Sequence, residues 1–270
     1  MNVPSRAVAR PDPDTDRREA LCRDMVMEAG RLAMQGFVAA GNGGTSMKGR
    51  QDFLTETDGA VERYLRSRIA EVFPEDGFLG EETGGCFEPS LWVVDPIDGT
   101  ANFARGIPHF CISVAFLREG DIELGAICNP AFDELHFARS GSGAVRNGAP
   151  IKVAATVDYQ QTSVELGWST RVPDADYLGA LGRLLDLGVN VRRSGSGALG
   201  LAYVADGRSD AYAEIHMQPW DCLAGLLLVR EAGGVVGPYP TGPGLDRGGT
   251  VIAACPGVAE GIVAAMRTSA

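Results

Sequence analysis

The 270-residue sequence predicts a mixed α and β protein, a layered sandwich of two halves packed as one unit. Three observations carry this. Two segments with helical spacing open the chain, and short apolar runs separated by Gly, Asp and Pro turns follow, the pattern of a largely antiparallel sheet. After about Val153 strands and helices alternate instead. No low-complexity linker divides the two patterns. No Gly-rich turn sits in the strand–turn–helix context of a dinucleotide fingerprint, so a pure Rossmann arrangement is not expected.

In chain order, residues 1–16 are rich in Pro, Arg and Asp, lack an apolar run, and read as a loose tail rather than a secretory signal. A first helix is expected over 17–38, capped by Thr15 or Asp16, with Leu21, Met25, Val26, Ala29, Leu32, Ala33 and Phe37 at helical spacing. Gly41-Asn42-Gly43-Gly44 ends it and opens a polar loop with Lys48 and Arg50. A second helix starts near Asp58, placed as an N-cap, carries Val61, Leu65 and Ile69, and stops at Pro74. Strands over 78–82, 91–94, 110–117, 122–129, 134–139 and 143–146 complete an N-terminal α+β subdomain, 17–152. The C-terminal α/β subdomain, 153–270, reads as strands 164–166, 189–192, 210–215 and 251–254 with helices 177–187, 196–206, 220–232 and 258–266.

Composition excludes several functions. A formal charge of −11 leaves no basic stripe for nucleic acid. No run approaches the roughly 20 apolar residues that span a bilayer. The six cysteines are scattered without a C-x-x-C pair, which indicates neither a disulfide frame nor a zinc site and fits a reducing cytoplasm. Three histidines, His109, His136 and His216, are too dispersed to propose a Ser/His/Asp set.

The chemistry concentrates in Trp92-Val93-Val94-Asp95-Pro96-Ile97-Asp98-Gly99-Thr100-Ala101-Asn102-Phe103. An apolar strand runs into two aspartates three positions apart, on what reads as a tight turn. Two such carboxylates repel, and hard divalent cations ask for several oxygens at once, so Asp95, Asp98 and the Ile97 carbonyl form a candidate cation site. Gly99 and Thr100 open the next helix or turn, where unpaired N–H groups attract a phosphate. Gly80-Glu81-Glu82 adds acids at a strand end; adjacent strand residues face opposite ways, so one of the two joins the site. Trp220-Asp221 stands at another helix start.

Together these motifs resemble the inositol monophosphatase family from about Arg17 to the end. The resemblance rests on Trp92–Phe103 and on Trp220-Asp221-Cys222-Leu223-Ala224-Gly225 followed by Glu231-Ala232-Gly233-Gly234. Thr55-Glu56-Thr57-Asp58, Gly80-Glu81-Glu82 and Arg193-Ser194-Gly195-Ser196 fall in the expected order. It implies a five-layer αβαβα sandwich, a homodimer, two to three Mg²⁺ per site, and Li⁺-sensitive hydrolysis of inositol monophosphate or a similar polyol or sugar phosphate. Glu81, Asp95 and the Ile97 carbonyl would hold one metal; Asp95, Asp98 and Asp221 a second; Glu81 a weaker third. Thr100 and Glu81 would position the attacking water, with Asp58 helping through a water-bridged contact. Gly99 and Thr100 would bind phosphate, and Asp98, Gly195, Ser196 and Glu214 the alcohol.

The chain departs from the family pattern in places. Gly197 stands where alanine is usual, and Gly200 shares its helix, at a cost of roughly 1 kcal/mol each against alanine. Trp168 and Ser169 lie in a variable, substrate-side stretch, and His216 falls where many relatives have glycine. Histidinol phosphate, adenosine 3′,5′-bisphosphate and fructose 1,6-bisphosphate are the alternative substrates. A regulatory or binding protein with secondary catalysis is the alternative of another class.

Overall fold

The computed structural model describes residues 13–39, 45–49 and 52–267. The elements run α1 (Pro13–Ala39), β1 (Thr45–Gly49), β2 (Asp52–Thr55), α2 (Glu56–Val72), β3 (Gly77–Gly80), β4 (Gly84–Cys86), β5 (Ser90–Asp98), α3 (Thr100–Phe103), β6 (Cys111–Arg118), β7 (Asp121–Asn129), β8 (Glu134–Arg139), β9 (Ala144–Arg146) and β10 (Ala149–Pro150). They continue β11 (Ser163–Leu166), α4 (Asp174–Asp186), β12 (Asn190–Arg192), α5 (Gly197–Ala205), β13 (Ala211–Met217), α6 (Pro219–Glu231), β14 (Val235–Val236), β15 (Gly249–Ala254) and α7 (Ala259–Met266).

The predicted fold class holds: the layers are α1 and α2, an eight-stranded sheet, α5 and α6, a five-stranded sheet, then α4 and α7. The larger sheet is ordered β10-β9-β8-β7-β6-β5-β3-β4 and is antiparallel apart from β3 beside β5. The smaller is ordered β12-β11-β13-β15-β14. Alternation along β5 explains the layering. Trp92 and Val94 join Leu21, Met25, Val61 and Leu65 of the outer helices. Leu91 and Val93 face the other way, into a core shared with Leu199, Leu227 and Leu228. A strand covered on both faces needs a continuous apolar run, which is what Leu91–Val94 supplies. By the same logic α6, wedged between two sheets, is apolar nearly all round, with Cys222 through Val229 buried. A third core, around Val164, Leu184, Ala213 and Ile262, seats α4 and α7.

Several boundaries differ from expectation. The first helix begins at Pro13, so Pro13–Asp16 of the expected tail are helical; proline suits the first turn, where its missing N–H costs nothing. Residues 1–12, the glycine run 41–44, Arg50 and the Lys48 side chain lie outside what is described. The second helix is capped by Thr55, not Asp58. Asp58 stands at N3 and its carboxylate accepts from the Thr55 N–H, closing a capping box. The hairpin β1–β2, the short edge strands β4 and β10, and β14 add to the predicted set. All six cysteines are free, and five are buried.

Candidate metal centre and active site

Asp95 and Asp98 are not on a turn but inside β5, whose pairing with β6 carries a bulge. Asp95 lies opposite Ser113 and Asp98 opposite Cys111, so three steps on β5 match two on β6. This matters because residues three apart on a regular strand face opposite sides. The extra residue brings both carboxylates to one side. Pro96 is tolerated at such a bulge because no ladder N–H is needed there. The Ile97 N–H donates to Asp95 Oδ1 at 2.9 Å, bracing that carboxylate.

Asp98 is gripped by the middle layer. Its Oδ2 accepts from Ser196 Oγ at 2.6 Å and from the Ala198 N–H at 2.7 Å, at the start of α5. A helix N-terminus is a natural seat for a carboxylate. Ser196 also caps α5, accepting from the Leu199 N–H. Asp221 comes from α6. Pro219 opens that helix, and Asp221 at N3 accepts from the Gln218 N–H at 3.2 Å.

Asp95, Asp98 and Asp221 each place one carboxylate oxygen so that all three lie within 4.8 Å of one another. Burial, then the charges of Glu81, Asp98 and Asp221, push Asp95 well above the usual carboxylate range. Burial likewise raises Asp98. Asp221 is pushed up to about 7 by burial and by Asp98. Three mutually repelling oxygen donors, Asp95 buried and Asp98 and Asp221 half-buried, fit a hard divalent cation, whose charge offsets what the protein alone must relieve by holding protons.

Glu81 follows β3 in a turn secured by Glu62, whose buried carboxylate accepts from the N–H groups of Glu82 and Thr83. Its charge acts on Asp95, and it lines the cleft above the three aspartates. Gly99 adopts φ 96°, a left-handed conformation open to glycine, and turns β5 directly into α3. Thr100 Oγ1 sits 2.8 Å from the Ile97 carbonyl and 3.3 Å from Asp58 Oδ1, so Asp58 reaches it directly. Thr55 holds the other Asp58 oxygen, and burial raises the Asp58 carboxyl above its ordinary value.

These groups floor a cleft of about 790 Å³ that contains Glu81, Asp98, Gly99, Thr100, Gly195, Ser196, Glu214 and Asp221 together. The structure therefore brings the expected site residues to one place, with Asp95 buried just beneath and Asp58 behind Thr100. Glu214, on β13, lines the same cleft as Asp98 and Asp221 and is pushed up to about 8, chiefly by burial. Arg171, Tyr177, Arg193 and Tyr212 also line the cleft and have no role in the sequence reading. Two leave a trace there: Arg193 opens the Arg193-Ser194-Gly195-Ser196 motif, and Tyr212, two residues before Glu214 on a strand, must share a face with it. Trp168 and His216, noted for their variability, do reach the cleft; His216 Nε2 lies 2.8 Å from the Arg247 carbonyl.

The chain is thus a five-layer sandwich with an acid cluster at a bulged strand end, closed by two helix N-termini. The profile of the Inositol monophosphatase family matches residues 16–269, and the chain belongs to that family. It is 36% identical over 245 residues to "Nus factor SuhB" of Escherichia coli (strain K12), covering 89% of this chain and 92% of that protein. It is 39% identical over 244 residues to "Inositol-1-monophosphatase" of Mesorhizobium japonicum, covering 87% and 92%. The crystal structure of extragenic suppressor protein suhB from Bartonella henselae superposes with a TM-score of 0.87 at 33% identity, covering 94% of this chain and 100% of that one. Among the described residues no helix is long and apolar enough to cross a membrane.

Proposed function

We propose that the protein is a Mg²⁺-dependent phosphomonoesterase that hydrolyses inositol monophosphate or a similar polyol or sugar phosphate. The observation that carries this is the convergence of Asp95, Asp98 and Asp221 within 4.8 Å beside Gly99 and Thr100 in one cleft. Glu81, Asp95 and the Ile97 carbonyl are read as holding one cation, and Asp95, Asp98 and Asp221 a second, with Glu81 serving a weaker third. When bound, such cations polarise the attacking water and neutralise charge on the phosphoryl and departing alkoxide oxygens.

The chain's own groups do the positioning. Gly99 and Thr100, at the start of α3, receive the phosphate. Thr100 has one proton to give, to the Ile97 carbonyl or to Asp58, and its lone pairs are left for the water that attacks phosphorus. Glu81 orients that water from the other side, and Asp58 backs Thr100. Asp98, Gly195 and Ser196 border the alcohol, and Glu214 accepts hydrogen bonds from its hydroxyls. Where Glu214 is ionised it repels a second phosphate, which favours a neutral polyol over a bisphosphate. The name of the Mesorhizobium relative supports the same substrate class.

Assay of purified protein with Mg²⁺ against about ten phosphate monoesters tests the reading. Inositol 1-phosphate is expected to rank among the best substrates, with Li⁺ inhibiting. Far faster turnover of histidinol phosphate or a bisphosphate would overturn the substrate assignment. A regulatory role of the kind named for the Escherichia coli relative is the other-class reading; it would survive loss of Asp95 in cells, which an enzymatic role would not. The free, scattered cysteines support a cytoplasmic location and the resemblance a homodimer, and light scattering at twice 28.4 kDa checks the assembly.

A further inference from the structure

We infer that Tyr212 is a positioning residue that fixes the Glu214 carboxylate for the alcohol half of the substrate, in a hollow kept open by Gly167, Gly197 and Gly200. The inference rests on Glu214 being the polyol-side acid. Tyr212 and Glu214 share one face of β13, and the Tyr212 O–H donates to Glu214 Oε2 at 2.6 Å. Tyr212 is 2% exposed, so its hydroxyl cannot turn to bulk water for a partner. With Oε2 tied down, the carboxylate is held in one orientation against the cleft that both residues line.

The surrounding glycines have no other evident reason to be there. A Cβ on Gly200 would lie 2.5 Å from Tyr212 Cδ2 and 2.7 Å from Cε2, a rigid ring that cannot give way. A Cβ on Gly197 would lie 2.9 Å from the Tyr212 hydroxyl and 2.5 Å from Met217 Cε. A Cβ on Gly167 would overlap the Glu214 carboxylate and the Tyr212 hydroxyl together. Gly197 and Gly200 are three apart on α5, one helical face, and both weaken that helix relative to alanine. Three glycines on two segments, α5 and the loop after β11, thus leave room around one Tyr–Glu pair. A purely structural tyrosine would need the ring space but not the hydroxyl aimed at a cleft-lining acid.

The test compares Y212F, G200A and, as control, G182A, a helix substitution that meets nothing within 4 Å. For each, kcat/KM is measured on inositol 1-phosphate and on p-nitrophenyl phosphate, which has no ring hydroxyls to offer. The expected result is a five- to tenfold fall in the ratio of the two for Y212F and G200A, through KM of the inositol ester more than through kcat, with G182A at the wild-type ratio. An unchanged ratio in Y212F, or an equal loss on both esters, would overturn the positioning role. If the wild type hydrolyses neither ester, the phosphatase reading has failed on its own. Calorimetric binding of inositol 1-phosphate then decides Tyr212 separately: five- to tenfold weaker in Y212F supports it, and equal affinity overturns it.

Discussion

Asp95 is the residue through which the site coheres. It is buried, braced by the Ile97 N–H, and feels Glu81, Asp98 and Asp221 at once. Nearby sequence shows half of this. Asp95 and Asp98 are three residues apart and legible as a pair, whereas Asp221 reaches them only because α6 points its first turn at the end of β5. The hold of Ser196 and Ala198 on Asp98 is equally silent in the sequence, since nothing local joins positions about a hundred residues apart. Glu214 tests the substrate side at this scale. Glu214→Gln keeps the shape but turns one carboxyl oxygen into an amide donor, and losing one accepted hydrogen bond of about 1.5 kcal/mol predicts roughly a tenfold rise in KM for inositol 1-phosphate. Steady-state kinetics on that ester check it, and an unaltered KM would remove Glu214 from the binding surface.

At the level of elements, the local rules succeeded where burial is two-sided or periodic and failed at ends. The apolar run of β5 and the helical spacing in α1 and α6 were readable because each sits between packed layers. The Thr55–Asp58 capping box was present in the letters, yet an aspartate just before an apolar run attracts the N-cap assignment first. The bulge in β5 has no sequence signature beyond Pro96, so a turn was expected where the strand continues. The two-residue β14 is too short for any periodicity. Ser196 joins element to site, because one hydroxyl caps α5 and anchors Asp98. Ser196→Ala is therefore expected to lower stability by about 1 kcal/mol, a few degrees in Tm, and also to weaken Mg²⁺ binding. Thermal unfolding with and without Mg²⁺ checks both; a Tm loss with unchanged cation affinity would leave Ser196 a cap only.

Across the whole molecule, the middle helices tie the two sheets into one body, and an ion network marks one seam. Asp206 ends α5, lies 2.9 Å from His136 Nε2 on β8 and 2.8 Å from Arg146 on β9, and also pairs with Arg208. Burial alone would raise its carboxyl, but the hydrogen bonds from His136 and Arg208 hold it at about 2. A depressed carboxylate pKa stabilises the fold fully above the unfolded value near 3.9, and that contribution is lost as pH falls through the folded value. Asp206→Asn is accordingly predicted to cost about 2 kcal/mol at pH 7, with the gap from wild type narrowing between pH 4 and pH 2. Urea unfolding across that range measures it, and a gap that widens on acidification would contradict the assignment.

The acid cluster at the floor of the cleft is tested most directly by phosphate release from inositol 1-phosphate with Mg²⁺, with chelator, and in Asp95→Asn. The prediction is turnover that requires Mg²⁺ and falls at least about a hundredfold in Asp95→Asn, as expected when a group central to transition-state charge stabilisation is removed. Turnover that persists in chelator, or in Asp95→Asn at the wild-type rate, would contradict it.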